Sequence, residues 1–144
     1  MARKSRLARA KKVRGSMRLK KLSGWSGYSS FLDKSRSQLA SYKKSGDVES
    51  LAQSGEKLWN AFNLLVQKKV GYPVRNYSAF QKAVSELYQR TGSDLLLRSA
   101  SKAYNLHVFF YRGYTENVAV VENDNCEVYE GMKILEKSLA GVAS

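Results

Sequence analysis

The chain has 144 residues, 43% of them hydrophobic, with 25 Lys and Arg against 12 Asp and Glu for a net charge of +13. That is enough for one domain with an appendage. It offers no run of about eighteen apolar residues to span a membrane, and its single cysteine (Cys126) and single histidine (His107) exclude an internal disulfide framework and a Cys- or His-rich metal site. The charge is uneven. Residues 1–21 hold ten basic side chains (Arg3, Lys4, Arg6, Arg9, Lys11, Lys12, Arg14, Arg18, Lys20 and Lys21) and no acid. Like charges repel, and the sparse apolar residues among them bury little, so this arm is expected to have no stable structure of its own. Ser23-Gly24-Trp25-Ser26-Gly27 reads as a linker with one aromatic anchor. The predicted division is a basic arm and linker over 1–27 and a helical domain over 28–144.

From Tyr28 the spacing is helical. Tyr28, Phe31, Leu32, Leu39 and Tyr42 share a face, and Ser45-Gly46 stops the first helix. Asp47 caps the second, whose stripe is Val48, Leu51, Ala52, Gly55, Leu58, Trp59, Phe62, Leu65 and Val66, ending before Gly71. Small Ala52 and Gly55 predict close approach of a neighbouring helix. Tyr72-Pro73-Val74-Arg75 is a non-helical connection, since proline disfavours helix at Tyr72. Asn76 or Ser78 caps a third helix (Phe80, Ala83, Val84, Leu87, Tyr88), closed by Thr91-Gly92. Ser93 or Asp94 opens a fourth, with Leu96, Ala100, Ala103, Tyr104, His107, Phe110 and Tyr111 on one side, ended by Gly113. Val118-Ala119-Val120-Val121 is β-prone. The continuing period decides for a fifth helix from Glu116 to Leu139, with Val118, Val121, Val128, Met132, Leu135 and Leu139 inward. Five helices joined by two to six residues predict an all-α, up-and-down antiparallel helical bundle.

Ten cations without an acid suit a polyanion. Each phosphate neutralised releases counterions, arginines bind phosphate in a two-pronged way, and a slim cationic strand can order between RNA helices. Trp25 and Tyr28 are placed to stack on unpaired bases. Lys43, Lys44, Lys68, Lys69 and Arg75 extend the basic surface from helix ends. An organellar presequence is disfavoured by the lysine clusters and the lack of an amphipathic stripe, and a membrane-surface helix by the lack of a large apolar face. RNA is preferred to DNA because no helix-turn-helix, zinc finger or basic zipper is present. A compact body with a basic arm is the layout of many ribosomal proteins. The expectation is a non-catalytic, cytoplasmic, ribosome-associated RNA-binding protein, with ribosomal RNA and neighbouring ribosomal proteins as partners and no metal or other cofactor.

Two segments of the body carry a family likeness. Ser54-Gly55-Glu56-Lys57-Leu58-Trp59-Asn60-Ala61 and Ala103-Tyr104-Asn105-Leu106-His107-Val108-Phe109-Phe110-Tyr111 resemble motifs of an archaeal paralogous-repeat branch of the HEPN superfamily, over roughly Tyr28 to Leu139. The resemblance implies a helical bundle, often dimeric, in a group where many members bind or cleave RNA. The active ones use an Arg and a His on one helix, four to six residues between them. Here Arg98 and His107 fall on opposite faces, about half a turn apart. Lys102 has the right spacing to His107, but it is a lysine, and Ala103 stands where the motif is usually polar. The alternatives are therefore an endoribonuclease using His107 and Lys102, or a protein-interaction adaptor. On the apolar face, His107 reads more simply as a hydrogen-bonded core residue. Cys126 reads as a small buried hydrophobe. Glu56 and Lys57 read as surface or interhelix pairs, and the acids Glu116, Glu122, Asp124, Glu127, Glu130 and Glu136 as a solvated face of the last helix.

Overall fold

The computed structural model describes the backbone of residues 17–114 and 117–138 and the side chains of 27–114 and 117–137. These residues form an all-α bundle of α1 (Met17–Ser45), α2 (Val48–Val70), α3 (Tyr77–Thr91), α4 (Asp94–Tyr111) and α5 (Val118–Ser138). The predicted caps explain most boundaries. Asp47, Asn76 and Ser93 each accept a backbone N–H from the first turn of α2, α3 and α4, which satisfies donors a helix start leaves open. Gly71 and Gly92 close α2 and α3 in the left-handed region, at φ 84° and 66°, where a side chain would be strained. The β-prone run at Val118 is helical.

Two boundaries differ from expectation. The segment Ser23–Gly27, read as a linker, lies within α1. Glycine costs a helix only about 1 kcal/mol relative to alanine, and no proline breaks this run, so the helix continues through it. The fifth helix begins at Val118 after Asn117, whose side chain accepts the Ala119 N–H. Glu116 and Leu139 lie outside the described residues.

The centre of the bundle is α2. It packs against each of the other four helices, while α3 also packs on α4 and α4 on α5. Its Leu51, Leu58, Phe62 and Leu65 meet Phe80 and Leu87 of α3, Leu96, Leu106 and Phe109 of α4, and Met132 and Leu135 of α5 in one fully buried core. Close approach occurs at two glycines. A Cβ on Gly55 of α2 would stand 3.2 Å from Leu106 Cβ, as the small residues of that stripe predict. A Cβ on Gly131 of α5 would stand 2.1 Å from Ser99 Oγ and 2.3 Å from Ser99 Cβ.

Two phase errors in the predicted stripes are corrected here. On α4 the buried residues are Leu96, Ser99, Ala100, Ala103, Leu106 and Phe109. The inward face therefore lies to one side of the predicted one, and Tyr111 is 67% exposed. On α5, Asp124 is buried and Cys126 is exposed, the reverse of expectation. Asp124 and Asn125 sit with Val121, Val128 and Met132 on the face against α2 and α4, whereas Cys126 falls just outside it.

α1 reaches α5 mainly through side chains, in antiparallel register. Tyr28 donates to Glu136, the Ser35 and Tyr129 hydroxyls are 2.7 Å apart, and Tyr42 lies near Glu122. Each contact is seven residues on along one helix and seven back along the other.

Gly131→Ala should destabilise the fold by about 1–3 kcal/mol through overpacking, because Ser99 is tied to the Glu127 carbonyl at 3.0 Å and cannot step aside cheaply. Gly55→Ala should cost far less, its tight contact offset by a helix-propensity gain of about 1 kcal/mol. Urea denaturation of both variants checks the order.

Candidate functional site

The charge of the chain sorts by helix. Residues 1–45, ending with α1, hold 14 Lys and Arg and one acid, Asp33. Residues 46–144 hold 11 of each. The entire net charge thus belongs to the N-terminal segment and α1. Lys34, Arg36, Lys43 and Lys44 of α1 are exposed, and Lys57, Lys68 and Lys69 of α2 are half-buried beside it. Burial, then the like charge of Lys68, pulls the Lys69 pKa below the usual lysine range.

The predicted RNA contacts divide. Arg3, Lys4, Arg6, Arg9, Lys11, Lys12 and Arg14 lie outside the described residues, while Arg18, Lys20, Lys21 and Trp25 fall on the α1 backbone. Tyr28, expected to stack on bases, packs against the core with its hydroxyl donated to Glu136. Burial and that bond push its pKa up to about 12. The Lys68 ammonium lies over its ring, 6.0 Å from the centroid.

A second cluster forms where α2 and α4 cross at Gly55. The crossing sets His107 beside Glu56, with Nδ1 to Oε1 at 2.9 Å. The carboxylate side chain is 12% exposed and the imidazole 31%. The His107 ring lies 5.2 Å from Trp59, 6.0 Å from Tyr104 and 4.8 Å from exposed Tyr111. Burial raises the Glu56 pKa, against the lowering effects of the His107 bond and nearby Lys57. A buried carboxylate on one ring nitrogen fixes the imidazole's orientation, the arrangement that positions a histidine for proton transfer.

Lys102 takes no part in this cluster. Five residues from His107, it turns to α5 and pairs with Asp124 at 3.2 Å, while His107 turns to α2. The His–Lys pair that spacing suggested is thus two separate interhelix contacts, because five helical steps rotate a side chain by about 140° away from its fellow. Glu56 is the partner that the sequence offered only as a member of an interhelix pair. No local spacing links residues 51 positions apart.

Three helices also meet at a buried hydroxyl group. Ser54 of α2 donates to the Ser35 carbonyl of α1 at 2.8 Å and lies 3.1 Å from the Asn125 Nδ2 donor of α5. Ser35 Oγ donates to the Ser54 carbonyl at 2.8 Å. The signal for this cluster was a serine, Ser54, inside an apolar stripe. Among the described residues no three His, Cys, Asp or Glu side chains gather as a metal site would need, and no helix is long and apolar enough to cross a membrane.

The fold and site together define a small helical bundle with a cationic leader and one carboxylate-held histidine. The chain belongs to the archaeal PaREP1/PaREP8 family, whose model matches residues 40–129. The match covers Glu56 and His107 and leaves out residues 1–39, where most of the net positive charge lies. No curated protein and no solved structure matches the chain.

Glu56→Gln should make the fold less sensitive to pH. A carboxyl whose folded pKa is raised binds its proton more tightly when folded, so its contribution is fully present below the unfolded value and is lost as pH rises through the folded one. Relative to the Gln variant, the wild type should lose stability as pH rises above the usual glutamate range. Urea midpoints across that rise measure the difference.

Proposed function

We propose that this chain is a non-catalytic RNA-binding protein associated with ribosomal RNA in the cytoplasm. Its basic N-terminal segment contacts structured RNA, and the helical body docks on the surface. The observation that carries the reading is the charge partition: +13 in residues 1–45 and none in residues 46–144. A neutral body gives such a segment no counter-charge, whereas a phosphate backbone gives it both charge and the entropy of released counterions. The layout of compact body and cationic leader, like that of many ribosomal proteins, supports the ribosomal assignment. The exposed Glu130 of α5 marks a side less suited to RNA and suits a basic protein neighbour.

A chain lacking residues 1–16 loses seven cations and keeps the described helices. It should leave the ribosomal fraction in sucrose gradients while melting at an unchanged temperature. Its RNA affinity should depend on salt with a slope smaller by about 6. Unchanged co-sedimentation would sink the reading.

A second reading, endoribonuclease action, is favoured by one specific observation: a half-exposed His107 held by the partly buried Glu56 carboxylate at 2.9 Å. The likeness of the segments around Glu56 and His107 to HEPN motifs supports it. In this reading His107 takes a proton from a ribose hydroxyl and Glu56 orients it, with Lys102 in no direct role. RNA cleavage should then disappear in His107→Ala and weaken in Glu56→Gln with Lys102→Gln near wild type. Absence of cleavage by the wild-type chain ends this reading and leaves the first untouched.

A further inference from the structure

The ion pairs of the described residues sit on one side of the molecule. Arg98–Glu127, Lys102–Asp124 and Lys133–Glu130 belong to α4 and α5. Among the described residues no carboxylate comes within 4.0 Å of a Lys or Arg of α1 or α2. Four of those cations lie instead over aromatic rings. Lys34 of α1 and Lys57 of α2 converge on Phe31 at 5.9 and 5.8 Å, Arg36 lies 5.6 Å from the Tyr129 centroid, and Lys68 covers Tyr28. Ring faces attract cations without cancelling their charge. The result is a fixed cationic array, two of whose members share one ring with no anion between them.

Helical geometry orders the exposed face of α1. At about 100° per residue, Ser30, Ser37, Ser41 and Lys44 run down its middle, with Lys34 on the α2 edge and Arg36 and Lys43 on the α5 edge; all seven are exposed. The face therefore offers hydroxyls flanked by cations, with one exposed carboxylate, Asp33, among them. Among the described side chains it does not offer stacking platforms, since the rings of Phe31, Tyr28 and Tyr129 lie in the helix seams beneath cations. Single strands are held by bases stacked on open aromatic faces. Double-helical RNA is held through phosphates and ribose hydroxyls across a wide, shallow minor groove.

We propose that the exposed face of α1, edged by Lys57 and Lys68 of α2, docks on the sugar–phosphate backbone of double-helical RNA. This rests on the RNA-binding reading above and names its substrate: the face reads the shape of a duplex.

The test uses the full-length chain and a full-length K34Q/R36Q/K43Q/K44Q variant, whose exposed substitutions should leave the thermal melt unchanged. The probes are a duplex RNA of about 16 base pairs, the same sequence as duplex DNA, and single-stranded poly-U. The wild type should bind duplex RNA more tightly than duplex DNA. For duplex RNA, the slope of log affinity against log salt should fall by about 3–4 in the variant, and poly-U binding should change much less. An unchanged slope on duplex RNA, an equal loss on poly-U, or equal binding of RNA and DNA duplexes overturns the inference while RNA binding itself stands. Failure of the wild type to bind any RNA overturns both.

Discussion

Ser54 holds three helices together at one buried point. Its hydroxyl gives a proton to the Ser35 carbonyl of α1 and receives one from the Asn125 amide of α5, while the Ser35 hydroxyl returns to the Ser54 carbonyl and meets Tyr129. A buried polar group left without a partner costs about 1–3 kcal/mol, so these groups are stable only in one mutual register. α1 depends on that register more than its neighbours do. Only Leu32 and Ser35 of its described side chains are buried, and it brings little apolar surface to the core. Polar contacts at 28 and 35 fix where α1 lies on α5. That position in turn fixes which of its faces carries charge to solvent.

The same register separates the charges. Arg98 and Lys102 of α4 find carboxylates on α5, Lys102 reaching the buried Asp124, and Lys133 pairs with Glu130 on its own helix. Cations of α1 and its α2 border find ring faces instead. One half of the body is electrostatically closed and the other open toward an external anion. α1 is continuous from Met17, so Arg18, Lys20 and Lys21 share one helix backbone with this open face. The family match begins only at residue 40, so the cationic part lies largely outside the segment by which the family is recognised.

His107 depends on a different contact. Absence of a side chain at Gly55 lets α4 approach α2 closely, and Glu56, the next residue, is thereby turned to the imidazole. Phosphate binding and the histidine cluster thus rest on separate constraints. The body can serve as a docked platform whether or not its histidine moves protons.

The chain by itself determined the five helices, because apolar steps of three and four and the caps Asp47, Asn76 and Ser93 are local properties of the backbone and its nearest side chains. It determined the cationic leader for the same reason, charge being a property of composition. It also foretold a close helix crossing at Gly55. Periodicity fixes a helix's phase only to within about one residue. A one-residue error rotates a face by about 100°, which is how Asp124 and Cys126 exchanged places and Tyr111 was drawn inward. Pairings across the bundle, Glu56 with His107, Lys102 with Asp124 and Ser54 with Ser35 and Asn125, came only from the tertiary structure. They join residues 19 to 71 positions apart, and at such separations only the packing of one helix on another decides which side chains meet.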